Sequence, residues 1–141
     1  MAKGSVGMVL RITGPVVDIL FDPFNIPDIF HAVTIEHNGE TYVLEVSQHL
    51  GDGEVRCISM QSTDGMSRGL TAVDTGEPIT VGVGEATLGR MVNVLGEPID
   101  KKEPVKAREK WPIHHPAPGF SDIVAADEVL ETGIKVIDLM A

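Results

Sequence analysis

The side chains with chemistry to offer are few and scattered. His114-His115 is an adjacent pair of imidazoles. Neighbours on an extended strand point to opposite faces, so the two are poorly disposed to share one ion. No Cys or Asp/Glu cluster lies beside them at ligand spacing. Both are expected to be solvated loop side chains, as are His31, His37 and His49, each beside a turn. Cys57 sits in a strand-like run with no His/Asp pattern around it, and is expected to act as a small apolar residue in a sheet. Asp52, Glu54, Asp64 and Asp74 are turn carboxylates, and Asx-turn hydrogen bonding accounts for them without an acid–base role. No catalytic, cofactor-binding or metal residue is therefore expected in this chain.

Phosphate chemistry is the other possibility that the glycines raise. Gly82-Val83-Gly84 and the Gly89-to-Gly96 spacing look superficially like a dinucleotide fingerprint, but the G-x-G-x-x-G order is missing and no amphipathic helix follows. Structural turns are expected there. A GxxxxGK[ST] loop occurs nowhere in the sequence. Phosphoryl transfer needs backbone N–H groups and a Lys around the phosphates, with a cation bridging them. The chain alone is expected neither to hydrolyse ATP nor to bind it tightly. Arg68 and Arg90 follow turns in acidic surroundings. Each is either a solvated cation or a donor to a carboxylate of another subunit, a task suited to the guanidinium fork.

Composition narrows the class. A net charge of -10 repels phosphate backbones and anionic lipid. One Trp, one Tyr and four Phe leave little to stack bases on, which further disfavours an oligonucleotide-binding barrel. The core must be built from Val, Ile, Leu and Met. The single Cys allows no disulfide within the chain and fits a reducing compartment. The first residues show neither a signal peptide nor a membrane span.

Short strands between turn signals fill the first eighty or so residues. Gly7–Ile12 and Val16–Phe21 flank Thr13-Gly14-Pro15. Val33 and Ile35 alternate with Thr34 and Glu36, and Asn38-Gly39 supplies the two positive-φ positions of a tight hairpin. Tyr42, Leu44 and Val46 alternate on the return. Glu54–Met60 is a further strand, Ser62–Gly65 a turn, Val73–Pro78 another turn, and Ile79–Val83 the sixth strand. Six such strands predict a β-barrel over 1–82, because closure removes exposed edges. Beyond it, Gly89–Asp100 reads as a short strand and a turn, and Lys101–Lys110 as a charged loop. Trp111–Phe120, with Pro112, Pro116 and Pro118, reads as an extended segment. Thr132 is expected to cap a helix through Leu139, with Ile134, Ile137 and Val136 on its buried side.

Several blocks together resemble the N-terminal part of the β subunit of F-type ATP synthases. They are Gly14–Asp18, Leu44–Gly53, Ser62–Gly65 with Arg68-Gly69, Val73–Gly76 running into Val83–Arg90, Asn93–Asp100, His115–Pro118 and Val129–Leu139. Gln48–Gly53 and Glu131–Lys135 are closer to the β than to the non-catalytic α form. His115 stands where the family commonly has Arg, and Met66-Ser67 where it has more apolar pairs.

The resemblance implies a six-stranded barrel that joins a crown of alternating α and β subunits in a hexameric ring. It implies that 83–141 are the incomplete beginning of an α/β nucleotide-binding domain. In such a parent, ATP or ADP, phosphate and Mg2+ would be handled by residues beyond Ala141, and central-stalk subunits would be further partners. The parent complex would sit peripherally on the cytoplasmic side of a bacterial inner membrane, touching the bilayer only indirectly. No nucleic-acid partner is implied. The alternative reading is a non-catalytic oligomerisation barrel. Apart from a partner, Ile134, Val136, Ile137 and Leu139 are expected to lack a firm seat.

Overall fold

A computed structural model of the chain describes residues 4–122, 129 and 131–140. Six antiparallel strands close into a barrel in the order β1-β2-β5-β4-β3-β6. They are β1 (Val6–Thr13), β2 (Val16–Leu20), β3 (His31–His37), β4 (Glu40–Gly51), β5 (Glu54–Ser59) and β6 (Thr71–Pro78). Period-2 alternation sends one row of each strand inward. Val9, Val17, Ile19, Val33, Ile35, Leu44, Val46, Val55, Cys57 and Ala72 meet there in one core. Almost all are aliphatic, as the scarcity of aromatic residues requires.

Turn chemistry fixes the register. Asn38 and Gly39 both have positive φ, 52° and 82°, and the β3–β4 ladder closes on them with His37 opposite Glu40. Asp52 and Gly53 repeat the device between β4 and β5, with φ of 51° and 82°. In each case the positive-φ pair matches the twist of its flanking strands. Register shifts interrupt β1 between Val9 and Arg11, and β4 between Val46 and Gln48 and again between His49 and Gly51. Such irregularities bend long strands and help a sheet curl into a barrel.

Six strands form the barrel as expected, but the sixth is a different segment. Val73–Pro78 is not a turn: it belongs to β6, which pairs with β1 on one side and β3 on the other. Its polar residues read as turn chemistry because Asp74, Thr75, Gly76 and Pro78 are all turn formers. In the sheet their needs are met locally. Asp74 accepts from the Gly76 N–H at 3.0 Å, and the Thr75 hydroxyl donates to the Ala32 carbonyl at 2.8 Å. The expected last strand, β7 (Thr80–Val83), lies outside the barrel and pairs with β8 (Glu109–Pro112) as a two-stranded ribbon. β8 begins within the segment expected to be wholly loop.

Between the ribbon strands, Val92 and Pro98 form a single antiparallel bridge around a turn. Trp111–Phe120 is free of α-helix, as its prolines require. The helix α1 spans Lys135–Met140. Thr132 is not its cap but lies outside it. The Thr132 hydroxyl donates to Asp138 Oδ1 at 2.6 Å and accepts from the Ile134 N–H at 3.1 Å. Ile134, Val136 and Ile137 are exposed rather than on a buried side, and Leu139 is exposed with them. Among the described residues no helix is long and apolar enough to cross a membrane.

Leu44 is fully buried at the centre of the barrel. Leu44→Ala should lower unfolding stability by about 2–5 kcal/mol. Leu20→Ala, on the outer wall, should cost less than about 1 kcal/mol. Urea denaturation followed by circular dichroism measures both, and equal costs would contradict this placement of the core.

Candidate functional site

Strand alternation places Asp18 between inward Val17 and Ile19, so its carboxylate faces the outside of the barrel. It is nevertheless only 2% exposed. The registers explain this: Arg11 on β1 and Arg56 on β5 are its direct cross-strand neighbours, one on each side. Arg11 donates to Oδ2 from Nε at 2.9 Å and from Nη2 at 2.7 Å. Arg56 donates to Oδ1 from Nε at 2.9 Å and to Oδ2 from Nη2 at 3.3 Å. Arg56 above all, and Arg11 with it, hold the Asp18 carboxyl below its ordinary range against the opposing effect of burial. Arg11 also reaches Glu54 at 3.4 Å. Every one of these charges is matched, so the cluster braces three strands and leaves no poised acid or base.

The histidines divide. His31 is not a solvated loop side chain: its Nδ1 lies 3.2 Å from Asp74 Oδ1, and it is largely buried. His49 Nε2 donates to the Pro27 carbonyl at 2.7 Å. His37 Nε2 lies 3.0 Å from the Asn38 amide, in an exposed turn. His114 and His115 do point to different partners. His114 Nε2 lies 2.8 Å from Glu45 Oε2, and its ring stacks on Phe30 with centroids 4.1 Å apart. His115 stacks on Trp111 at 4.8 Å and remains exposed. His114 and His49 are exposed, as expected of solvated side chains, but each also hydrogen-bonds to a distant part of the chain. Among the described residues no group of three or more His, Cys, Asp or Glu could hold a metal ion.

Cys57 is fully buried in the core, and burial pushes its thiol up to about 12, so it is protonated and inert at neutral pH. Arg90 is neither a solvated cation nor free for another subunit. Its Nε donates to Asp100 Oδ2 at 2.7 Å, and its Nη2 donates to the Glu103 carbonyl at 2.6 Å. That hydrogen bonding, first of all from Arg90, lowers the Asp100 carboxyl well below its usual value. The glycines that resembled a nucleotide fingerprint have backbone duties. A Cβ on Gly82 would stand 2.6 Å from the Ala107 Cβ, and Gly84 has φ of 102°. A cavity of about 450 Å³ beside them is lined by Glu85, Lys106, Arg108 and Glu109. Its two cations face two carboxylates, so it lacks the net positive field that an anion site needs.

Sequence reasoning missed a feature of the outer wall. Met8 on β1 lies opposite Leu20 on β2, and Val6 on β1 lies opposite Val73 on β6. Val6 and Met8 share a face, so the registers gather all four into one strip across three strands. Their exposures run from 38% to 61%. An alternation count marks each as an outward residue, but only the pairing shows that they are contiguous.

Asp18 supplies the pH-sensitive part of this wall. Its folded pKa is depressed, so the unfolded chain binds the proton more readily. The stabilisation is complete above the unfolded value of about 3.9 and is lost as pH falls from there through the folded value. Asp18→Asn should cost about 1–2 kcal/mol at neutral pH, less than a fully buried pair because both guanidiniums are more than a third exposed. Denaturant titrations at a series of pH values should show the gap between the two proteins closing as pH drops from about 5. A gap that does not narrow would remove Asp18 as its source.

Residues 9–76 match the model of the ATP synthase alpha/beta family, beta-barrel domain. The match begins at Val9 in β1 and ends at Gly76 in β6, so it reaches from the first barrel strand to the last. The closed six-stranded barrel of this chain is thus consistent with the N-terminal barrel domain of that family.

Proposed function

We propose that the chain is the N-terminal part of the catalytic β subunit of a rotary F-type ATP synthase, and that its barrel serves ring assembly rather than phosphate chemistry. The observation that carries this reading is the exposed apolar strip of Val6, Met8, Leu20 and Val73 on the wall of a barrel of this family. Contiguous apolar surface on a sheet face is favourable to cover and marks an interaction site. The β-like runs Gln48–Gly53 and Glu131–Lys135 favour the β subunit over the α.

On this reading the partners are alternating α-type subunits in a six-membered ring, with the central stalk reached through the parent subunit. ATP, ADP, phosphate and Mg2+ are handled by residues other than these 141, since they include no phosphate loop. The parent complex sits on the cytoplasmic side of a bacterial inner membrane and meets the bilayer through other subunits. Residues 83–141 are then the beginning of the nucleotide-binding domain. The exposed apolar side chains of α1 would pack there.

The strip offers a direct test. Met8→Asp and Val73→Asp place a charge on the outer wall and leave the core untouched. Each variant should lose co-elution with a purified α-type partner subunit in size-exclusion chromatography. Its melting temperature should stay within a few degrees of the parent's, as for other surface changes. Undiminished co-elution by both variants would remove the strip from the assembly surface.

A further inference from the structure

The segment after β8 returns to the barrel, and its attachment is independent of the assembly reading. The ladder between β7 and β8 sets Thr80 opposite Pro112. One residue further on, the Ile113 N–H donates to the carbonyl of Ile79 at 2.9 Å, and Ile79 is buried at the exit of the barrel. His114 then turns to the opposite face from Ile113 and lies against the barrel wall. Its Nε2 donates to Glu45 on β4 at 2.8 Å. Glu45 lies between inward Leu44 and Val46, so it faces outward, yet it is buried.

The third member is Phe30. Its ring stacks on the His114 imidazole with an interplanar angle of 30°. Its backbone is left-handed, with φ of 71°. For a bulky side chain that is an unfavourable conformation, and it persists only where the surroundings impose it. Here the Phe30 N–H donates to the Val46 carbonyl at 2.8 Å, which ties the strained residue to the strand that carries Glu45. Strain, a buried outward carboxylate and a stacked imidazole thus converge on one side chain. Neither the core nor the closure of the barrel requires any of the three.

We propose that His114, clasped between Glu45 and Phe30, is a latch that fixes the β7–β8 ribbon, and the chain leaving it, in one orientation on the barrel. The latch converts two structural units joined at Ile79 into a single lever. With it closed, a displacement of the segment after Pro116 is transmitted to the barrel wall at β4. With it open, the ribbon pivots about Ile79 and Thr80.

Amide hydrogen exchange on the 141-residue chain reads the latch at the Ile113 N–H. His114→Ala should speed exchange there roughly tenfold, the worth of one ordinary hydrogen bond. Phe30→Gly should do the same. Because glycine accepts a positive φ, that variant should leave the melting temperature unchanged or raise it, which a simple loss of packing would not do. Glu45→Gln retains an acceptor oxygen and should keep most of the protection that Glu45→Ala loses. His115→Ala, which removes only the stack on Trp111, should leave Ile113 as in the parent. Amides of Val33 and Leu44 in the barrel should keep parental rates in all of them. Ile113 exchange that is unaltered in both His114→Ala and Phe30→Gly would overturn the latch. So would an equal effect from His115→Ala, or barrel amides that accelerate together with Ile113.

Discussion

Closure is the constraint from which the rest of this structure follows. Without β6, an open sheet of the other five strands would have two edges, β1 and β3, each a row of unpaired N–H and C=O groups. β6 satisfies both at once by pairing with β1 and β3. It does so with a sequence rich in turn formers, which is possible because side chains supply what the ladder lacks. His31 and the Gly76 N–H meet Asp74, while Thr75 bonds the Ala32 carbonyl. Once the barrel is closed, the chain can leave only from its end. That is why Ile79 is buried there and why β7 starts a separate ribbon.

Closure also decides what the outer wall can carry. A wall that alternates strictly puts every second residue outside, whatever its polarity. Asp18 and Glu45 are outward acids that are hidden because cross-strand or returning side chains lie over them. Asp18 is covered by Arg11 and Arg56, and Glu45 by His114. Burying a carboxylate without partners would be costly, so the coverings and the acids come as sets. The strip at Val6, Met8, Leu20 and Val73 is the opposite case: outward, apolar and uncovered by the described residues.

How much of this could be seen in the sequence depends on the range of the interaction. Asn38-Gly39 announces its hairpin because a turn is a property of adjacent residues. The alternation of Tyr42, Leu44 and Val46 announces which face is buried. β6 could not be recognised that way. Its polar residues are stabilised by His31 and Ala32, more than forty positions away, and local chemistry alone reads Asp-Thr-Gly as a turn. The same limit hid the roles of His114 and Arg90. His114 needs Glu45 from β4 and Phe30 from the turn before β3, and Arg90 needs Asp100 across a loop. Cys57 was legible because a small apolar residue in an alternating strand is buried wherever the strand lies. The family resemblance ran through turn-rich blocks such as Gly14–Asp18 and Ser62–Gly65, where backbone geometry restricts the residues allowed.

The strand order separates the two proposed surfaces. Around the ring β1-β2-β5-β4-β3-β6, β1 and β4 stand three places apart in either direction. The apolar strip is centred on β1, and the latch seats on β4, so they occupy opposite walls of the barrel. A neighbour docked on the strip does not compete with the returning chain for surface, and release of the latch need not uncover the strip. The barrel between them is filled with aliphatic side chains, and close-packed interiors resist deformation. The wall proposed to meet a neighbour and the wall that seats the returning chain are therefore joined through a stiff body. Its orientation is set by short contacts at each side rather than by its interior.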